Sequence, residues 1–125
     1  MYRVELENKG EMVFSVKSQD YMFNIDLKGK GMIPPDVFLA GLASCMGVYF
    51  RKYLEGAKLG IEEFKIIAEA ELSSEVPICF RAINIKIDTK GVYLDEKRKL
   101  AVIDFIKNCP VHNTIKNNPE VRIEV

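Results

Sequence analysis

Pro34-Pro35-Asp36-Val37-Phe38-Leu39-Ala40-Gly41-Leu42-Ala43-Ser44-Cys45-Met46-Gly47-Val48-Tyr49-Phe50 is the stretch that decides the fold. Proline is tolerated in a first helical turn, and Asp36 suits the positive end of a helix. From Val37 to Phe50 no residue is charged. A helix apolar on every face is expected to be buried all round. Ala40, Ser44 and Gly47 recur at i, i+4 and i+7, a small-residue stripe that would let another backbone approach. Arg51, Lys52 and Glu55 mark the exit to solvent, and Gly56 is a stop. The uncharged run is too short to span a bilayer.

Strands flank this helix. Tyr2, Val4 and Leu6 alternate with Arg3, Glu5 and Glu7. After the turn Asn8-Lys9-Gly10, Met12, Phe14 and Val16 alternate with Val13, Ser15 and Lys17. After Ser18-Gln19-Asp20, Tyr21, Phe23, Ile25 and Leu27 share one face. Period-two alternation predicts an antiparallel meander with one face buried. Beyond the helix, Phe64 to Leu72 alternates as a fourth strand, and Cys79, Arg81, Ile83, Ile85 and Ile87 form one face of a fifth. Asp95 is the expected N-cap of a second helix with the apolar stripe Leu100, Ile103 and Ile106. Cys109-Pro110 opens a third, to about Asn117, and Val121, Ile123 and Val125 suggest a last strand. The expected order is βββαββααβ, an α+β domain over residues 1–125 with antiparallel sheets wrapped around the central helix. Burying one fully apolar helix in so small a domain is difficult, and two chains sharing a pair of such helices would solve this as a homodimer.

Apolar residues make up 48% of the chain, enough for a core, and eighteen basic side chains balance eighteen acidic ones. No basic excess points to nucleic acid or to an anionic membrane. The start, Met1-Tyr2-Arg3-Val4-Glu5, does not read as a targeting segment, and three cysteines fit a reduced compartment. A soluble, cytoplasmic protein is the expectation.

Cys109 belongs at an N-cap with Pro110 at N1, where unpaired N–H groups favour thiolate. His112, the only histidine, lies one turn on. Read blandly, Cys109 is a small apolar plug and His112 a surface residue. Cys45 sits mid-helix among Leu42, Met46 and Tyr49, where core packing is the ordinary role of a cysteine. Burial there would raise its pKa unless a cation reached it. Arg51, six positions on, is on a poorly matched face; Arg3 and Arg81 would have to come across the fold. Cys79 reads as a structural residue of the fifth strand. Cys109 and His112 supply two ligands where structural zinc wants four, so no metal is expected. There is no phosphate loop, dinucleotide fingerprint or serine elbow. Lys97-Arg98-Lys99 reads as a solvated helix face.

Pro34 to Met46 resembles the first-cysteine helix of the OsmC/Ohr (organic hydroperoxide resistance) family, and Cys109-Pro110-Val111-His112 resembles its second-cysteine motif, in the OsmC-like branch. The likeness covers nearly the whole chain. It implies an intertwined homodimer with active sites at the dimer interface, and a thiol peroxidase acting on organic hydroperoxides. Cys45 would attack the peroxide and become a sulfenic acid. Cys109 would resolve it as a Cys45–Cys109 disulfide, and a dithiol reductant would restore both thiols. The resemblance calls for no metal or organic cofactor. Two positions depart from the pattern. The strand Glu11–Lys17 holds no arginine, and Pro35 stands where a glutamate pairs with that arginine. Asp36 matches the acidic position of the OsmC-like branch, and Arg51 or Arg81 is left as the replacement cation. The alternatives are a redox-responsive or small-apolar-ligand-binding protein without significant turnover, and acyl transfer by Cys109 with His112.

Overall fold

A computed structural model describes residues 1–125. The chain forms two compact units, Met1–Phe38 and Leu39–Val125.

The first unit is an antiparallel meander of β1 (Glu5–Asn8), β2 (Val13–Ser18) and β3 (Tyr21–Asp26), in the order β1-β2-β3. Ser18 faces Tyr21 across the tight turn, where Gln19 takes φ 55°. Gly10 carries φ 114° in the β1–β2 connection, a conformation that favours glycine. Burial is narrower than the alternation suggests. Val16 and Ile25 are buried, while Tyr21, Phe23 and Leu27 stay exposed. Period two decides which side chains share a face; it does not supply a layer to cover that face.

The second unit holds most of α1 (Pro34–Gly56), the hairpin β4 (Lys65–Leu72) and β5 (Phe80–Asp88), then α2 (Glu96–Ile106) and α3 (Pro110–Lys116). Leu42, Met46, Phe50 and Leu54 of α1 are buried, a row at intervals of four. Phe50 is wholly enclosed and meets Phe64 edge-on, with ring centroids 4.8 Å apart. Leu54, Ile61, Val102 and Ile106 complete that core. The expectation that α1 is buried all round is corrected: Ala40 and Ser44 are exposed, and Val48 is 53% exposed. One chain's hairpin and helices cover one side of a helix. At Gly47 the approaching groups are the Ile66 and Phe64 side chains, not another backbone.

Asp95 caps α2 as expected, its Oδ1 accepting from the Arg98 amide at 2.7 Å. The buried stripe is rotated from the expected one: Val102 and Ile106 are buried, while Leu100 and Ile103 are exposed. Phe105 packs between Tyr49 and Tyr53 instead. Lys97, Arg98 and Lys99 are solvated, as expected, with Arg98 Nη1 donating to the Tyr53 hydroxyl at 3.1 Å.

Two further expectations are corrected. A register shift at Glu71/Leu72 pairs Leu72 with Phe80 and Glu71 with Ala82. This breaks the alternation, so Arg81 is exposed and Cys79 lies before the strand, exposed, its amide donating to Ser73 Oγ. The end of the chain, Val121 to Val125, is extended by pattern but forms no strand. A strand needs a neighbouring edge to take its N–H and C=O groups, and the β4–β5 hairpin of the same unit pairs with no third strand. The observed order is therefore βββαββαα, with two antiparallel sheets and three helices.

Phe50→Ala is expected to destabilise the fold by about 3–5 kcal/mol, the range for emptying an enclosed phenylalanine site. Equilibrium urea unfolding measures it; a loss below about 1 kcal/mol would show that Phe50 is not the centre of the core.

Candidate functional site: two thiols between α1, β5 and α3

Residues Leu42, Cys45, Met46 and Tyr49 recur along one face of α1 at i, i+3, i+4 and i+7. Isoleucines 83 and 85 of β5 lie against that face, and Cys109 and Val111 close it from the start of α3. The sequence brings the second cysteine here through a tight link. α2 ends at Ile106, the amides of Lys107, Asn108 and Cys109 close the last turns, and Pro110 begins α3 at once.

Cys109 is completely enclosed, whereas Cys45 is partly exposed. Both are free thiols, and Cys45 packs against the cluster that holds Cys109. Cys109 occupies the N-cap as expected, with φ −54° and ψ 124°, and its sulfur accepts from the His112 amide at 3.4 Å. The electrostatic expectation is corrected. Burial pushes the Cys109 thiol above its ordinary range, and the neighbouring Cys45 thiol adds to the rise. The amides of His112 and Val111 oppose this and lose. An N–H group stabilises a thiolate, but taking the anion out of water costs more at a sulfur with no exposed surface. Cys109 therefore holds its proton more tightly than an ordinary thiol.

The other candidates have definite places. Arg51 donates from Nη1 to the Ile61 carbonyl (3.1 Å) and from Nη2 to the Glu62 carbonyl (2.8 Å), with its guanidinium 4.9 Å from the centre of the Phe64 ring. It fastens the approach to β4. Arg81 is exposed on β5. In the first unit Arg3 pairs with Glu5 at 2.6 Å, and Asp36 is an exposed acid in the first turn of α1. His112 turns its ring to the Lys107 carbonyl, 3.2 Å from Nδ1. A carbonyl only accepts, so Nδ1 carries the proton. The imidazole is thus engaged away from Cys109, and its backbone amide is what meets the sulfur. No three or more His, Cys, Asp and Glu side chains gather where a metal could sit.

An open groove of about 800 Å³ lies between α1, β5 and α2. Met46, Phe50, Ile85 and Ile106 are among its walls, and Lys86 and His112 are on it too. Neither sulfur lines it. Sequence reasoning noted the Ile83–Ile85 alternation without connecting it to Cys45. The Lys107 carbonyl left no sequence signal at all.

The fold and the site define a class: an α+β protein that sets one thiol of a long central helix against a second, enclosed thiol at a helix start. The chain belongs to the OsmC-like protein family, whose pattern matches residues 27–124. Among solved structures, an OsmC-like protein from Mycoplasma pneumoniae is 20% identical, with a TM-score of 0.80 over 94% of this chain and 89% of the other. An organic hydroperoxide resistance protein OsmC from Legionella pneumophila is 21% identical, with a TM-score of 0.67 over 94% and 90%. Another organic hydroperoxide resistance protein, from Elizabethkingia anophelis, is 19% identical, with a TM-score of 0.65 over 97% and 93%. At these identities the likeness establishes the fold. No curated protein sequence matches the chain significantly. No helix is long and apolar enough to cross a membrane.

The raised Cys109 pKa has a sign that can be tested. The native state holds this proton more tightly than the unfolded chain. The resulting stabilisation is full below the ordinary thiol pKa, about 8.5, and is lost as pH rises through the higher native value. The urea midpoint is expected to fall between about pH 8 and pH 10, and to fall less in Cys109→Ala. An equal fall in both proteins would remove Cys109 as the cause.

Proposed function

We propose that the protein is a cysteine-based thiol peroxidase that reduces organic hydroperoxides. The observation that carries the reading is the packing of Cys45 against the small cluster that encloses Cys109. The Cys45 thiolate attacks the terminal peroxide oxygen, the O–O bond breaks, and the alkoxide leaves and takes up a proton as the alcohol. Cys45 is now a sulfenic acid. Cys109, already its neighbour, loses its proton and attacks that sulfur, and water departs as the disulfide forms. A dithiol then returns both cysteines to thiols and is itself oxidised to a disulfide. The organic hydroperoxide resistance proteins of the same fold support the substrate class. Asp36 stands in the first turn of α1, and Arg51 donates to the Ile61 and Glu62 carbonyls ahead of β4. A reducing cytoplasm would keep the pair ready.

The active form in this proposal is a homodimer. The uncovered row Ala40, Ser44 and Val48 on α1 supports it, because an uncharged helix face gains by pairing with its copy. Sedimentation should show a dimer, and Val48→Glu should shift it toward monomer; a monomeric parent protein would end this part of the proposal.

A second reading is favoured by the groove whose walls include neither sulfur. In it the protein binds a small apolar ligand or responds to redox state, without significant turnover. The two readings part on one experiment. One equivalent of cumene hydroperoxide should promptly remove two labelled thiols, leave Cys79 labelled, and yield a Cys45–Cys109 disulfide by peptide mapping. Cys45→Ser should abolish consumption of the peroxide. Survival of both thiols would leave the ligand-binding reading in place.

A further inference from the structure

We infer that thiols open the Cys45–Cys109 disulfide by attack on Cys45 Sγ alone, with Cys109 as the leaving sulfur. The inference rests on the disulfide of the proposed function and assigns the direction of its reduction.

Thiol–disulfide exchange has a strict geometry. The incoming thiolate, the attacked sulfur and the leaving sulfur lie roughly in line, so the attacked sulfur must be open on the side away from its partner. The two cysteines differ in just this respect. Cys109 has 0% exposure and lies under Leu42 and Met46, themselves 3% and 6% exposed. Cys45 keeps exposed surface on α1. A thiolate can therefore reach Cys45 from solvent, whereas reaching Cys109 requires parting the cluster around it.

The step balances as follows. The thiolate RS⁻ attacks Cys45 Sγ, the S–S bond breaks, and its electron pair leaves on Cys109. The products are a Cys45–SR mixed disulfide and a Cys109 thiolate. The His112 amide, 3.4 Å from that sulfur, is already placed to receive the charge. Burial makes Cys109 a reluctant leaving group, which slows the step without offering another route. A second thiolate, from the same dithiol, then attacks the outer sulfur of the mixed disulfide. Cys45 departs as thiolate, the donor closes its own disulfide, and Cys109 takes a proton from solvent.

The test uses Cys79→Ser, which removes the exposed third thiol. Its disulfide is made with diamide, so the result does not depend on peroxide chemistry. The folded disulfide is pulsed with the monothiol 2-mercaptoethanesulfonate, quenched in acid, denatured, alkylated with N-ethylmaleimide and mapped by mass spectrometry. The expected result is the sulfonate adduct on Cys45 and maleimide on Cys109, in at least about tenfold excess over the reverse. An adduct on Cys109, comparable amounts on both, or a folded disulfide that opens only after denaturation would overturn the inference. Failure of diamide to form the bond would overturn it together with the disulfide chemistry proposed above. A clean Cys45 adduct in a protein that consumes no hydroperoxide would leave the inference standing and remove only the peroxidase reading.

Discussion

The row Leu42, Met46, Phe50 and Leu54 on α1 is the packing on which the second unit depends. Its lower half, Phe50 and Leu54, makes the hydrophobic core with Ile61, Val102 and Ile106. Its upper half, Leu42 and Met46, makes the small cluster that encloses Cys109. Core and site are thus two stretches of one helix face, joined by Tyr49, which packs against both. A helix that turned by one residue would carry Cys45 off Cys109 while also emptying the place of Phe50. The placement of the thiols is therefore held with the energy of the core rather than by any local bond between them.

At Cys109 two familiar effects meet and can be ranked. Backbone N–H groups at a helix start favour a thiolate, and the His112 amide supplies such a bond. Enclosure disfavours a thiolate, and here the sulfur has no exposed surface. Enclosure wins, with the neighbouring Cys45 thiol on its side. The outcome separates the two cysteines by environment alone: one enclosed and holding its proton, one in reach of solvent.

Much of this was legible in the sequence because it is local. The start of α1 follows from Pro34, Pro35 and Asp36, the cap of α2 from Asp95, and the start of α3 from Cys109-Pro110. The meander and the β4–β5 hairpin follow from alternation. What was not legible depends on groups distant in the chain. The stripe of α2 could be read with Leu100 or with Val102 inward, and the place of Tyr49 and Tyr53 decided it. A bulge at Glu71/Leu72 moved Cys79 off the face of Ile83 and Ile85. Arg51 found two carbonyls and the Phe64 ring ahead of β4, partners that no spacing announces. Val121 to Val125 has the pattern of a strand and forms none.

The central claim is that the fold itself holds Cys45 against Cys109, before any oxidant arrives. Equilibration with glutathione over a range of reduced-to-oxidised ratios tests this most directly, with each species mapped by mass spectrometry. Neighbouring thiols have a high effective concentration for each other, so the oxidised protein should carry the Cys45–Cys109 bridge and almost no glutathione at either residue. Separate glutathione adducts on the two cysteines, with no bridge at any ratio, would contradict the account.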